Sequence, residues 1–572
     1  MNALKLASDA VFIKFQVVVS EVSENSNISS FTPERILTAI SVLVPFIIFA
    51  YHTLPLDSWI IDDAGITFAY ARNLSAGHGL VSQPGMPPVE GYSNPLWVFL
   101  LAPFFWFNIF HPSITPKLLG LALVGAGFFG ISTVLRKLVE HPFIPTVAVL
   151  LLIAFNAPLI IWTSSGLENA LYFALGMWFL YFCIAYVGGE NHSNYLLLSG
   201  IFLAFMALTR PEGIVYLILL VSSVILREDG SGLTSKLKQL SAGLLPVILI
   251  FGGYFLFRRF YFQDWLPNPA YVKGSPGLQE VASILTLTQP YLLKYRDLCA
   301  SVFGMKFWLV PDFLLVIAGT TVSVLVWVKK LPRTVLLPFV MAIVSCGAFL
   351  IMTPDWMGEF RFASLYYPSI FISLTLAFYF AIMNISWVTL RVAISLLLFC
   401  GIIVIARSEN IPRLEYFASR PTVPMQAVYE SYVVKFNRIA AHLKLDSVSQ
   451  LLPDLGSTLY ESPFKTYDLA GLTDRSIAKH RGVSQDQFYN YVFDTIRPTI
   501  IHTHGFFSSV SRLERDPRFQ RDYVPIRDSL EPYWNDSVLA GDYLRRDVLV
   551  GKDSLLLPLQ RGDSPWDSVS RR

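Results

Sequence analysis

Charge is scarce in this chain. Lys, Arg, Asp and Glu make up 15% of its 572 residues and leave a net charge of only +3, too little for a nucleic-acid partner, which takes a face crowded with Lys and Arg. Cysteine is scarcer still. Of four cysteines, Cys183, Cys346 and Cys400 sit in apolar runs and Cys299 alone in polar sequence, so neither a disulfide framework nor a cysteine metal cluster is available and all four read as packing residues. There is no internal repeat, no low-complexity tract and no signal-peptide cleavage pattern before the first apolar run. What fills the chain instead is hydrocarbon. Hydrophobic residues are 53% of it and the mean hydropathy is +0.51, values a soluble protein of this length seldom shows. The composition predicts a polytopic α-helical membrane protein.

A helix needs about 20 apolar residues to cross a bilayer. Runs of that order occur near 36–54, 117–135, 143–162, 168–187, 194–209, 211–226, 239–258, 308–328, 334–352, 365–383 and 388–406, about eleven helices. Residues 1–35 read as a cytoplasmic lead-in, 36–407 as a membrane domain with an outer loop at 55–116, and 408–572 as a soluble mixed α/β domain, because beyond 407 charges become frequent and long apolar runs cease. Arg136, Lys137, Arg227, Lys236, Lys238, Lys329, Lys330, Arg333 and Arg391 fall in short connections, which the positive-inside rule places in the cytoplasm. Alternation closes if Pro95 to Phe110, with Pro95 and Pro103, dips into the membrane or lies along it. The C-terminal domain then stands on the outer face.

That topology, drawn from charge alone, gathers the unusual polar motifs on the outer side. The stretch WIIDDAGITFAYARNLSAGHGLVSQPGMPPVEGYSNPLW, residues 59–97, carries Asp62, Asp63, Arg72, Asn73, His78, Glu90 and Asn94 among several glycines, the composition of a folded loop rather than a linker. SSGLENAL adds Glu168, ALTRPEG adds Arg210 and Glu212, DWLPNPAYVK adds Asn268, Tyr271 and Lys273, and TPDWMGEFRF adds Asp355, Trp356 and Arg361. Ionisable groups at membrane depth are expensive and usually functional. The plainer reading is an ion pair stapling helix ends, for Arg210 with Glu212 and for Glu359 with Arg361. In the C-terminal domain, YESPFKTYDLAGLTDRSIAKHRG sets Asp468 and Asp474 on either side of a glycine turn. IHTHG puts His502 and His504 on one side of a strand, a spacing open to a metal but without a third ligand in sequence, so an ordinary strand is the preferred reading.

DDAGITFAYARNLSAGHGLVSQPGMPPVEGYSNPLW resembles the first outer loop of the GT-C class of membrane glycosyltransferases, in particular the branch that includes the mycobacterial cell-wall arabinofuranosyltransferase B. The similarity continues in order through SSGLEN, ALTRPEG, DWLPNPAYVK, the DWM and RF elements of TPDWMGEFRF, and DLAGLTD, and so covers nearly the whole chain after residue 50. Two positions depart from the family pattern. Gly65 stands where an aromatic often follows DDA, and Asn169 where a Thr often follows GLE, departures that bear on substrate identity more than on reaction class.

The resemblance implies a GT-C enzyme in a bacterial inner membrane, taking a sugar, arabinofuranose among the candidates, from a polyprenyl-phosphate donor to a glycan or glycolipid acceptor at the outer face. An acid of the first loop would accept the acceptor proton or stabilise an oxocarbenium-like centre; Asp63 is favoured, with Asp62 pairing a cation or holding the loop. Arg72, Arg210, Lys273 and Arg361 are the candidates for the leaving phosphate. No cofactor is expected; a divalent cation between Asp62 and Asp63 is conceivable, but no ligand set supports it. The aromatics of the C-terminal domain suit stacking on an acceptor sugar. A secondary transporter is the runner-up, though it would be expected to show related halves and midplane charges; an outer-face acyl or phospho-group transferase is a third reading.

Overall fold

The computed structural model describes residues 33–189, 192–273, 289–304, 310–328, 330–352, 356–383, 385–526 and 541–561. Among them, seven helices are long and apolar enough to cross a membrane, and an eighth span is possible if the bent pair Phe143–Ala154 and Ala157–Ser164 counts as one. The protein is a multi-pass membrane protein with a C-terminal α/β domain. Two of the expected spans are altered by their polar or Pro residues. The run at 143–162 is broken by 64° at Asn156, where Pro158 cannot continue an incoming helix and the Asn156 side chain accepts from Leu159 N–H to start a new one. The run at 211–226 opens as a 3-10 turn, Pro211–Tyr216, and only Leu217–Leu226 is α-helical. Helix Pro95–Trp106 is 12 residues long, about 18 Å against a hydrocarbon core of about 30 Å.

The bundle has two chemically different ends. Helix Asn169–Val187 runs from Glu168 at one end to Tyr186 at the other, 19 residues or about 28 Å. At the Tyr186 end, Arg227 donates to Tyr186 O, Asp229 pairs with Arg227 and Lys236, and Glu228 pairs with Arg333. The polar motifs gather at the Glu168 end.

The last membrane helix, Val388–Ser419, continues a dozen residues beyond the point where charges return. Leaving the apolar layer changes the surface a helix needs without ending it. Thereafter β1 (Ser449–Leu452), β2 (Lys465–Asp468), β3 (Ile500–Thr503), β4 (Tyr523–Ile526) and β5 (Gly541–Arg545) form one sheet in the order β2-β1-β3-β5-β4. Strands β1, β2 and β3 are parallel, and β5 runs antiparallel to β3 and β4. Neighbours along each strand sort to opposite faces. Leu452, Ile500 and Leu544 meet Phe436 and Ile439 on one face, while Leu451, Ile501 and Tyr543 meet Phe488 and Val492 on the other. The aromatics expected to stack on sugar are largely core: Tyr467, Phe488, Tyr489, Phe493, Phe519, Tyr523 and Tyr543 are all buried.

Candidate active site

The first loop is held from both sides. Ile61 N–H donates to Ser165 O below it, and above it Trp59 Nε1 donates to Thr422 O while Ile60 O and Asp62 N–H pair with Met425 and Val423. This clamp turns the two adjacent acids apart. Asp62 is buried and its two oxygens accept the amides of Gly456 (2.8 Å) and Ser457 (2.7 Å), at the start of a short helix of the C-terminal domain. Burial holds its carboxyl well above the usual range, against the pull of those two amides. Asp63 precedes helix Ala64–Ser75 without capping it through its side chain, and lines a cavity instead. Asp62 is thus committed to two amides of the C-terminal domain, while Asp63 lines the cavity.

The cavity has a volume of about 270 Å³ and lies where the membrane bundle, the first loop and the C-terminal domain meet. Asp63, Asn94, Glu168, Arg210, Glu212 and Arg361 line it. Arg210 donates from Nη1 to Glu168 (2.7 Å) and from Nε to Glu212 (2.5 Å), and Asn94 Nδ2 donates to the other oxygen of Glu168 (2.7 Å). All four side chains are buried, so each polar group needs the others. The phenyl ring of Phe362 lies between the two guanidiniums, 4.7 Å from Arg210 and 4.8 Å from Arg361. Arg361 also faces Trp162 and donates to Met357 Sδ.

The Arg210–Glu212 ion pair is therefore real and lies inside the site. Glu359 pairs with Arg413 at 2.6 Å rather than with Arg361; both Glu359 and Phe360 adopt a left-handed backbone that separates the two neighbouring charges. Asn169 explains its own departure from the family pattern: Nδ2 donates to Arg361 O and Ser364 Oγ, holding the turn that presents Arg361.

Arg72, Asn73, His78, Glu90, Asn268, Tyr271 and Trp356 are not among the residues that line the cavity. Arg72 donates to Tyr460 O at 2.6 Å and lies over the Tyr460 ring, a guanidinium spent on the C-terminal domain rather than aimed at a phosphate. Asn73 staples the loop by donating to Val81 O and Ser82 O, and His78 is exposed. Glu90 is buried against Arg258 and Tyr254. Asn268 donates to Gly471 O at 2.6 Å, Tyr271 donates to Asp264, and Trp356 is exposed. The Lys273 side chain and Asp355 lie outside the described residues.

Sequence reading missed how the C-terminal domain reaches the site. Leu472 lines the cavity, held there by a turn in which Asp468 accepts the amides of Gly471 (2.9 Å) and Thr473 (2.7 Å). Burial pushes the Asp468 carboxyl up to about 6 in spite of those amides. The folded chain thus keeps a proton there that an unfolded chain releases near pH 4. Stability from this group is full below pH 4 and is lost as pH rises through 6, by about 3 kcal/mol at 1.36 kcal/mol per unit. Thermal unfolding of the full chain followed from pH 4 to 7 should show that slope, and Asp468→Asn should flatten it; an unchanged slope in the variant would place the titration elsewhere.

Gly65 was the other departure, and it sits under Gly456. A Cβ built on Gly65 would fall into the Gly456 backbone, and one on Gly456 into the Asp62 backbone. The missing side chains let the two domains touch main chain to main chain, which is what brings the Gly456 and Ser457 amides onto Asp62. Gly65→Ala should therefore cost about 1–3 kcal/mol, the range for overpacking a fitted contact, and should speed amide exchange at residues 456–461. Unchanged exchange there would mean that the glycine contact does not hold the domains together.

No family model matches the chain, and no curated protein matches it in sequence. Solved structures do. The apo oligosaccharyltransferase of Archaeoglobus fulgidus superposes with a TM-score of 0.51 at 11% identity, over 82% of this chain and 69% of that one. The same organism's oligosaccharyltransferase AglB, in complex with an inhibitory peptide and a dolichol-phosphate, gives 0.50 at 11% identity over 83% and 70%. Apo ArnT from Cupriavidus metallidurans gives 0.49 at 13% identity over 82% and 93%. At such identities the likeness is one of fold, and the architecture of this chain is that of the GT-C membrane glycosyltransferases: a helical membrane bundle followed by a mixed α/β domain.

Proposed function

We propose that this protein is a membrane glycosyltransferase that moves a sugar from a polyprenyl-phosphate donor to a hydroxyl of a glycan or glycolipid acceptor. One observation carries the reading. Asp63 from the first loop, and Arg210 and Arg361 from two other segments, line the same cavity at the seam between membrane bundle and C-terminal domain. The dolichol-phosphate in the complex of the archaeal oligosaccharyltransferase, a protein of like fold, supports a lipid-borne donor.

In the proposed reaction the bond between the anomeric carbon and the phosphate oxygen breaks, and the acceptor oxygen forms the new bond to that carbon. Asp63 takes the acceptor's hydroxyl proton, and the polyprenyl phosphate departs with the bonding pair, its charge met by Arg210 and Arg361. Glu168 and Glu212 hold Arg210 in place, and Asn169 holds the Arg361 turn. The basic cluster around Arg227 and Arg333, at the end opposite the cavity, supports an extracytoplasmic site by the positive-inside rule. Motif resemblance favours arabinofuranose as the sugar, a bacterial inner membrane as the location and a cell-envelope glycan as acceptor.

Incubating the detergent-purified protein with a panel of polyprenyl-phosphate sugars, arabinofuranose among them, without any ion gradient, should yield glycosylated acceptor and free polyprenyl phosphate by mass spectrometry. Consumption of none of the donors in the panel would overturn the reading.

A further inference from the structure

The two histidines of IHTHG find a third partner that their own segment lacks. Asp454, from the loop after β1, joins His502 and His504, and one ligand atom from each lies within 4.8 Å of the others. His502 is fully buried, and its ring is oriented from behind: Nδ1 shares a hydrogen bond with Asp542 at 2.7 Å, and Asp542 is itself paired with Lys435. The other ring nitrogen, Nε2, is buried without a hydrogen-bond partner among the described residues. A buried imidazole nitrogen left in this state is costly unless something else binds it. His504 Nε2 lies 2.7 Å from Asp454 Oδ2, and the two histidine rings are 5.3 Å apart between centroids.

We propose that Asp454, His502 and His504 form a binding site for a divalent transition metal of the Zn²⁺ class in the C-terminal domain, distinct from the sugar-transfer cavity. Two imidazoles and one carboxylate are a donor set that suits Zn²⁺, with water as a fourth ligand. Asp542 supplies the carboxylate that such ligand histidines usually have behind them, fixing the tautomer that leaves Nε2 as the metal donor. On binding, the hydrogen bond between His504 and Asp454 opens, the neutral imidazole carries its proton on Nδ1 so that Nε2 is free to ligate, and the two ligand atoms separate by about 0.6 Å, to the spacing of tetrahedral ligands about 2 Å from a metal. Asp454 is the partly exposed member, with 23% of its side chain open, and gives the ion a way in.

The site also has a mechanical consequence. Asp454 is followed by Leu455, Gly456 and Ser457, whose last two amides clasp Asp62. An ion tying Asp454 to the end of β3 fastens the loop by which the C-terminal domain holds the residue next to Asp63.

The test uses the full chain in detergent, stripped with a chelator and titrated with ZnCl₂ or CoCl₂. One equivalent of Zn²⁺ per chain is expected, with Co²⁺ giving a visible d–d spectrum and Zn²⁺ raising Tm. His502→Ala and His504→Ala should each weaken binding by about a hundredfold or more and abolish the Tm rise, while His480→Ala changes neither. Asp542→Asn, which leaves all three ligands in place, should weaken binding about 10–100-fold. Should His502→Ala fail to fold, Asp454→Asn on the more exposed side of the site provides the same readout. Absence of a bound equivalent in the wild type, or binding that persists in both His504→Ala and Asp454→Asn, overturns the proposal.

Discussion

Asp63→Asn should retain the lipid donor and lose turnover by a factor on the order of a hundred or more, the scale expected when a proton-accepting group is removed. The substitution keeps the size of the side chain and removes only its charge and basicity. Asp63 lines the cavity and its side chain does not cap the helix that follows, so the change does not remove a helix cap. Asp62→Asn is the contrasting case. It places an amide NH₂ against one of the donors of Gly456 and Ser457, so its loss should appear first in the stability of the domain junction. Equilibrium binding of a polyprenyl-phosphate sugar and single-turnover rates, measured on both variants, separate the two roles. Near-normal turnover in Asp63→Asn would make the first loop a binding surface and end the proposed mechanism.

The second large effect is expected at Arg210. Among the described residues its guanidinium is the only cation bonded to Glu168 and Glu212, and all three side chains are at least nine-tenths buried. Arg210→Met keeps most of the volume but strands two carboxylates, and breaking a buried pair in this way costs about 3–5 kcal/mol. A fall in Tm of the purified protein should follow. Adding Glu168→Gln and Glu212→Gln to Arg210→Met removes the stranded charges and should recover much of that stability while leaving turnover lost, since the phosphate's cation is still missing. Recovery of activity together with stability would show that Arg210 serves the fold alone.

Individual residues show how far each part was legible. Glu168, Arg210, Glu212 and Arg361 could be singled out because a charge interrupting or ending an apolar run stands out against a composition with few charges. The alternative reading, a helix-end staple, described the same Arg210 and Glu212: in this site the staple and the cavity wall are one structure. Arg72 and Glu90 stood out as charges of a folded polar loop, and their partners, Tyr460 O and Arg258, are too far away in sequence for any local pattern to reveal. The aromatics of the C-terminal domain misled for a related reason. Their side chains suit a sugar face and a protein core equally well, and strand alternation sent them to the core.

By itself the sequence determined the membrane class and most of the spanning segments, because the bilayer tests every residue against one local criterion, transfer from water to hydrocarbon. It also determined which short motifs carry charge where charge is expensive. Tertiary structure alone decided that Asp62 and Asp63 face different partners, that two glycines distant in sequence bring the domains into main-chain contact, and that Asp454 completes a cluster with His502 and His504. Each of these depends on where remote backbone comes to rest, and the composition of a segment carries no record of the segment that will pack against it.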